Sequence, residues 1–164
     1  MKNQKSDAIY KKIHELGKAK KYEEALRCFD EFPQPLKGSD IYDKAEVLFG
    51  LQRYQEAGEL FDQYIAHEDK YIATMNQKDF DFYQYTFASL YDYAWYYRAC
   101  VFAFFGEEEK AMTYLERALE LGATVWQVML GKNEGDGNLN NFKTGHLWNK
   151  YRKTERFRRI IGKS

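Results

Sequence analysis

One pattern occurs three times in this chain, and the repetition constrains the fold more than any other feature. Residues 21–32, 53–64 and 107–118 align without gaps. Each segment has an alanine at its fifth position and a bulky apolar residue four positions later. These residues are Ala25 and Phe29, Ala57 and Phe61, and Ala111 and Leu115. This spacing predicts one face of an α-helix, and the alanine indicates where a neighbouring helix packs closely.

A second apolar stripe with helical spacing precedes each of these segments. The three stripes are Ile9, Ile13 and Leu16; Ile41, Ala45 and Leu48; and Trp95, Ala99 and Phe102. The links between the paired helices are expected to be short, at residues 18–20, 50–52 and 106. Because short links make consecutive helices antiparallel neighbours, the pattern predicts three helix hairpins. A hairpin of about 34 residues cannot bury its own apolar face, so the units are expected to stack.

The third unit, residues 94–122, resembles a tetratricopeptide repeat (TPR) at nearly every signature position. Its matching residues are Trp95, Ala99, Phe102, Gly106, Ala111, Leu115 and Ala118. The first unit keeps Tyr22, Ala25 and Phe29, and the second keeps Ala45, Leu48, Tyr54, Ala57 and Phe61. The resemblance implies an all-α fold, a right-handed superhelical TPR-like α-solenoid of three helix hairpins, with an extended middle segment and a C-terminal capping helix.

The repeat spacing places the domain boundaries. The hairpins are expected at about 5–37, 38–70 and 92–122, which together form a repeat region over residues 1–122. The second and third repeat alanines lie farther apart than the first and second, and the excess falls at about 66–87. That stretch has no glycine or proline, so we expect an inserted helical segment. Residues 123–164 are expected to form a helical cap, because Asp136, Leu139 and Arg156 resemble the tail of bacterial TPR proteins.

No arrangement of residues in the sequence indicates catalysis. The three histidines, His14, His67 and His146, are scattered along the chain. His67 and Glu68 begin like the zinc-protease motif HExxH, but its fifth position is Tyr71. The sequence therefore predicts no catalytic residues, no metal site and no cofactor.

Two further patterns have structural explanations. Asp136, Asn138 and Asn140 imitate the first ligands of a calcium loop, but the glycine and glutamate that such a loop needs are missing. A turn is the favoured interpretation. Cys28 and Cys100 have no CxxC partner, which is typical of core or groove-lining residues in a reducing compartment. No apolar run reaches the roughly 18 residues of a membrane span, and we expect a cytoplasmic protein with no membrane partner.

Charge is unevenly distributed although the formal net charge is zero. Residues 56–92 carry eight acids and two lysines, and residues 143–164 carry eight basic residues and one glutamate. The basic patch comprises Lys150, Arg152, Lys153, Arg156, Arg158 and Arg159. A solvated face of a capping helix docked on the third repeat is the favoured interpretation. Binding of nucleic acid or an acidic partner is the alternative.

The TPR resemblance also implies a binding groove, because the first helix of each TPR hairpin lines the concave side of the superhelix. The groove positions carried over from the family are His14, Tyr42, Glu46, Phe49, Tyr93, Tyr96 and Cys100. These positions are mostly aromatic and carry little positive charge, unlike the carboxylate clamp of chaperone-binding TPR domains. Tyrosines offer a large apolar face and a hydroxyl, which suits a peptide or a partner helix.

The sequence therefore predicts a non-catalytic protein–protein interaction module or adaptor that binds a peptide or helix of a partner protein in an aromatic concave groove. Two alternatives remain open. The first is a nucleic-acid-associated protein that uses the basic C-terminal helix. The second is a self-assembling structural protein whose aromatic surface forms a homo-oligomer.

Overall fold

The chain folds into helices that follow one another with short connections. The computed structural model describes residues 4–32, 34–121 and 144–162, and these contain no β-strand. The α-helices are α1 (Gln4–Lys18), α2 (Tyr22–Cys28), α3 (Ser39–Gly50), α4 (Tyr54–Ile72), α5 (Gln77–Phe105), α6 (Glu108–Glu120) and α7 (Glu155–Ile161). Two 3₁₀ turns, Phe29–Glu31 and Gly145–Trp148, complete the described elements. The fold is therefore all-α, as the sequence predicts.

The same backbone turn joins the two helices of every hairpin. Lys20, Gln52 and Gly106 have positive φ angles of 58°, 60° and 82°. The next N–H donates back across the turn each time, to the carbonyl oxygens of Leu16, Leu48 and Phe102, at 2.9, 2.9 and 3.0 Å. This is the Schellman arrangement, in which one left-handed residue ends a helix and satisfies its last carbonyls. Each left-handed residue precedes its repeat alanine by five positions, so the three turns are equivalent.

Close contact between neighbouring helices builds the core. From α1 to α6 each helix packs against the next one along the chain. Ala25, Ala57 and Ala111 have no exposed surface. One apolar cluster lies among α1, α2 and α3, to which α3 contributes Val47 near its C-terminal end. A larger cluster extends from α3 to α7.

The excess residues of the middle region lengthen two helices. α4 continues to Ile72 and α5 begins at Gln77, so only residues 73–76 interrupt the helical path. Asn76 caps α5, because its side chain accepts a hydrogen bond from the Asp79 N–H at 3.0 Å. The excess residues therefore extend the last helix of the second hairpin and the first helix of the third, and residues 73–76 join the two helices.

The C-terminal elements pack on the third hairpin. The 3₁₀ turn Gly145–Trp148 lies against α5, and α7 lies against α6. Thr154 caps α7 by accepting from the Phe157 N–H at 3.3 Å. The first part of the predicted cap, residues 123–143, lies outside the described residues, as does the calcium-like turn at Asp136, Asn138 and Asn140. No helix in the described ranges is long and apolar enough to cross a bilayer.

The shared turn leads to a stability prediction. A left-handed residue with a Cβ costs about 1 kcal/mol, and glycine escapes this cost. We expect Gln52→Gly to raise the free energy of unfolding by about 1 kcal/mol in urea denaturation followed by circular dichroism.

The reverse change is the control. We expect Gly106→Ala to lower the free energy of unfolding by about 1 kcal/mol. A Cβ at Gly106 meets only Lys150 Nζ, at an ordinary 3.6 Å, so the backbone conformation alone sets the cost. Equal stability of Gln52→Gly and the wild type would contradict the role of the turn.

Candidate functional site

Most of the predicted groove residues lie in the core. Tyr42, Phe49, Tyr96 and Cys100 are each at most 3% exposed. The carboxylate of Glu46 is also buried, and it accepts a hydrogen bond from the Tyr42 hydroxyl at 3.0 Å. These five side chains stabilise helix packing and present no open face to a partner.

The chain itself covers the groove positions of the third hairpin. The Tyr96 and Thr144 hydroxyls share a hydrogen bond of 2.6 Å, and the Trp148 ring stacks on the Tyr96 ring. The Tyr151 hydroxyl donates to the carbonyl oxygen of Ala103 at 3.5 Å. Cys100 lies beneath this cover, and burial raises the pKa of its thiol to about 12. The segment 144–151 therefore occupies the surface that the TPR resemblance assigns to a ligand.

The other two predicted groove residues, His14 and Tyr93, are half-buried. His14 lines a small cavity of about 20 Å³ between α1 and α3, where Tyr10 and Asp43 also lie. This volume is close to the space that one water molecule needs, so the cavity is too small for a peptide side chain. Tyr93 lies beside Tyr97, with ring centroids 6.3 Å apart.

The basic patch is divided between packing and exposure. Arg156 is paired with Glu109, and its guanidinium lies 3.2 Å from Thr113 Oγ1 and 3.5 Å from Glu116 Oε2. These contacts attach α7 to α6. Arg152 is half-buried and donates to the Gly145 carbonyl oxygen at 3.3 Å. The remaining members, which are exposed, are Lys150, Lys153, Arg158 and Arg159.

A cleft of about 740 Å³ opens where α4 ends and α5 begins, beside the start of α3. We call it the α4–α5 cleft. Its lining residues are Ser39, Tyr64, Glu68, Tyr71, Thr74, Met75, Asp79, Phe82, Tyr83 and Leu90. The volume falls in the range of pockets that hold small molecules or several side chains of a peptide. Among these described lining residues, Glu68 and Asp79 have carboxylates, and none is a lysine or an arginine.

Aromatic side chains form much of the cleft wall. Tyr71 and Phe82 are 54% and 63% exposed. Tyr71 packs edge to face against Tyr83, with ring centroids 6.1 Å apart. The Tyr83 hydroxyl donates to Glu68 Oε2, and His67 Nδ1 lies 3.1 Å from Glu68 Oε1. Glu68 is only 8% exposed, and these two contacts hold its carboxylate in place at the cleft.

Two further buried carboxylates, those of Asp43 and Asp92, lie close to the cleft. The pKa of the Tyr64 hydroxyl is raised. Burial is the largest cause, and the negative charges of Glu68, Asp43 and Asp92 add to it. Burial also raises the pKa values of Asp43 and Asp92 from 3.8 to about 6. One oxygen of each, Asp43 Oδ2 and Asp92 Oδ1, is buried without a hydrogen-bond partner. The electrostatic potential around Tyr64 is therefore negative.

Within the described ranges, no group of three or more His, Cys, Asp or Glu side chains could hold a metal ion. No protein-family model, curated protein or solved structure matches this chain. The geometry of the cleft therefore carries the functional argument.

Sequence reasoning missed the α4–α5 cleft, because the cleft lies in the region that breaks the repeat. Two signals pointed to it. The excess of acids over residues 56–92 includes Glu68, Asp79 and Asp92, and the expected insertion contains the aromatic Tyr71, Phe82 and Tyr83. Which of these side chains line an opening depends on where α4 ends and α5 begins.

The cover that residues 144–151 form over Tyr96 leads to a prediction about Trp148, which has no exposed surface. We expect Trp148→Ala to lower the free energy of unfolding by about 3–5 kcal/mol, because it removes a large ring from the contact with Tyr96. Urea denaturation would measure the loss. Asn149→Ala is the control, since Asn149 is exposed in the same segment. A loss below 1 kcal/mol in Trp148→Ala, on the scale of surface substitutions, would contradict the covering role.

The raised pKa values lead to a prediction about pH. Between about pH 4 and 6 the folded protein binds more protons at Asp43 and Asp92 than the unfolded chain does, so stability falls as pH rises through this window. We expect Asp43→Asn to reduce this fall and to be more stable than wild type at pH 7. Denaturation at a series of pH values would measure it. The exposed Asp30→Asn is the matched control, and equal pH dependence of the two variants would contradict the prediction.

Proposed function

We propose that this chain is a non-catalytic protein–protein interaction module that binds a segment of a partner protein in the α4–α5 cleft. The observation that carries the proposal is the exposure of Tyr71 and Phe82 on the wall of a cleft of about 740 Å³. Exposed aromatic rings beside satisfied polar groups are the side chains that dominate binding energy at protein interfaces.

The proposal keeps the class of function that the sequence predicts and moves its location. The aromatic residues expected in the groove, such as Tyr42 and Tyr96, serve as core. The cleft has the open surface that those positions lack. A peptide or a helix end fits its volume, because each bound residue needs only part of such a space.

A TPR-like solenoid is the arrangement that we propose for the three hairpins. Support comes from the equivalent left-handed turns at Lys20, Gln52 and Gly106 and from the sequential packing of α1 to α6. Stacked hairpins commonly present an extended binding surface. Cys28 and Cys100 are free and buried, which is compatible with the reducing cytoplasm in which we place the module.

Photo-cross-linking tests the location. A benzophenone amino acid would replace Phe82, and the protein would be irradiated in lysate from its native cells. We expect position 82 to cross-link to a discrete protein, and we expect prior addition of unlabelled wild-type chain to suppress that product.

The matched control is position 105. Phe105 is 48% exposed, close to the exposure of Phe82, and does not line the cleft. A product formed equally from positions 82 and 105 would indicate non-specific contact. If position 82 gives no cross-linked product that position 105 lacks, the proposed function is contradicted.

A further inference from the structure

Every buried residue with a formal charge in the described part of the chain is acidic. Asp43, Glu46, Glu68 and Asp92 are each less than 9% exposed, and no lysine or arginine is buried with them. Buried carboxylates normally have a cationic partner or several hydrogen bonds. Tyrosine hydroxyls supply some of these bonds here, from Tyr42 to Glu46 and from Tyr83 to Glu68. Tyrosine donates a proton and adds no positive charge, and the other group described at Glu68, His67, is a cation only when its ring is protonated.

Three of these carboxylates influence one point at the cleft. Glu68 lines the α4–α5 cleft directly, and the Tyr64 hydroxyl in the cleft wall interacts with the charges of Glu68, Asp43 and Asp92. Asp79 adds a further carboxylate at the rim, where it accepts from Asn76 Nδ2 at 2.7 Å. A cation that entered the cleft would therefore meet negative charge from α3, α4 and α5 together.

The cleft also has the groups that hold an organic cation by its flat faces. Tyr71, Phe82 and Tyr83 surround the approach to Glu68. A guanidinium stacks on aromatic rings and donates hydrogen bonds in a planar fork, which suits a site that combines rings with a carboxylate. Each Glu68 oxygen has two acceptor sites, so the contacts with Tyr83 at Oε2 and His67 at Oε1 leave capacity for a further donor. Met75 and Leu90 offer apolar contact to the stem of a long side chain.

We infer that the α4–α5 cleft takes an arginine side chain of a partner protein, with the guanidinium at Glu68 and its faces against the aromatic wall. This inference rests on the proposed function and specifies the chemistry of the occupant. A metal ion fits the site poorly, because no three ligating side chains converge in the described residues.

A double-mutant cycle with peptides tests the inference. Random twelve-residue peptides displayed on phage would be selected on the full chain, and those that compete with each other would be synthesised. We expect the recovered peptides to share an arginine beside an apolar residue. We expect replacement of that arginine by glutamine to weaken binding about tenfold or more, as loss of a charge-assisted hydrogen bond does.

The protein side of the cycle uses Glu68→Gln, which keeps the shape and can still accept from Tyr83. We expect Glu68→Gln to bind the arginine peptide about tenfold more weakly than the wild type does. We expect Glu68→Gln to bind the glutamine peptide about as weakly as the wild type does, because the two changes remove the same contact. Glu59→Gln is the matched control, since it removes an exposed charge of the same helix outside the cleft. Circular dichroism would verify that both variants fold.

Three outcomes would overturn the inference in different ways. Peptides that lose binding in Phe82→Ala but carry no basic residue would refute the arginine and leave the proposed function standing. Absence of any peptide that depends on Phe82 would refute both. Self-association of the wild type that Glu68→Gln and Arg158→Glu each abolish would show that the occupant is the basic helix of a second copy.

Discussion

The close approach of paired helices at three alanines is the contact on which the fold depends. Ala25, Ala57 and Ala111 are fully buried where the second helix of each hairpin meets its neighbours. A left-handed residue five positions earlier reverses the chain so that this contact forms. Two of those residues, Lys20 and Gln52, have a Cβ and accept the strain of this conformation. The packing of the hairpin therefore offsets a local backbone cost in two units out of three.

Carboxylates on α3 and α4 are paired with tyrosine hydroxyls, and this pairing determines the local charge of these helices. In addition to the pairs at Glu46 and Glu68, the Tyr91 hydroxyl donates to Asp69. An arginine in these positions would neutralise each acid, as Arg98 of α5 does for Asp62 of α4 at 2.8 Å. Tyrosine satisfies the hydrogen bond and keeps the charge. The high tyrosine content of the chain thus has a structural use beyond apolar packing.

The sequence predicted the hairpins well, because alanine spacing and apolar periodicity report on contacts between neighbours in the chain. The turn at Gly106 also had a local signal, whereas Lys20 and Gln52 gave none, since neither residue type favours positive φ. The groove residues could not be predicted in the same way. Their positions on the helices follow from nearby sequence. The burial of Tyr96 and Cys100, however, depends on Thr144 and Trp148, which lie far along the chain.

The cleft was harder still to predict, for a geometric reason. The excess of acids over residues 56–92 and the aromatic residues within 66–87 both fall in the correct part of the chain. Neither says which residues face an opening, because that depends on the exact end of α4 and start of α5 around residues 73–76. A shift of one residue rotates a helical side chain by about 100° and would remove it from the cleft wall.

The cover over Tyr96 has a consequence for biosynthesis. Tyr96 and its partner Thr144 are separated by 48 residues, as are Ala103 and Tyr151. At about 5–20 residues per second, a ribosome needs roughly 2 to 10 s to make that interval. During this time the face of α5 that carries Tyr96 lacks the cover that residues 144–151 provide in the folded chain. A nascent chain stalled within the interval would expose this apolar surface, which is the kind of surface that chaperones bind.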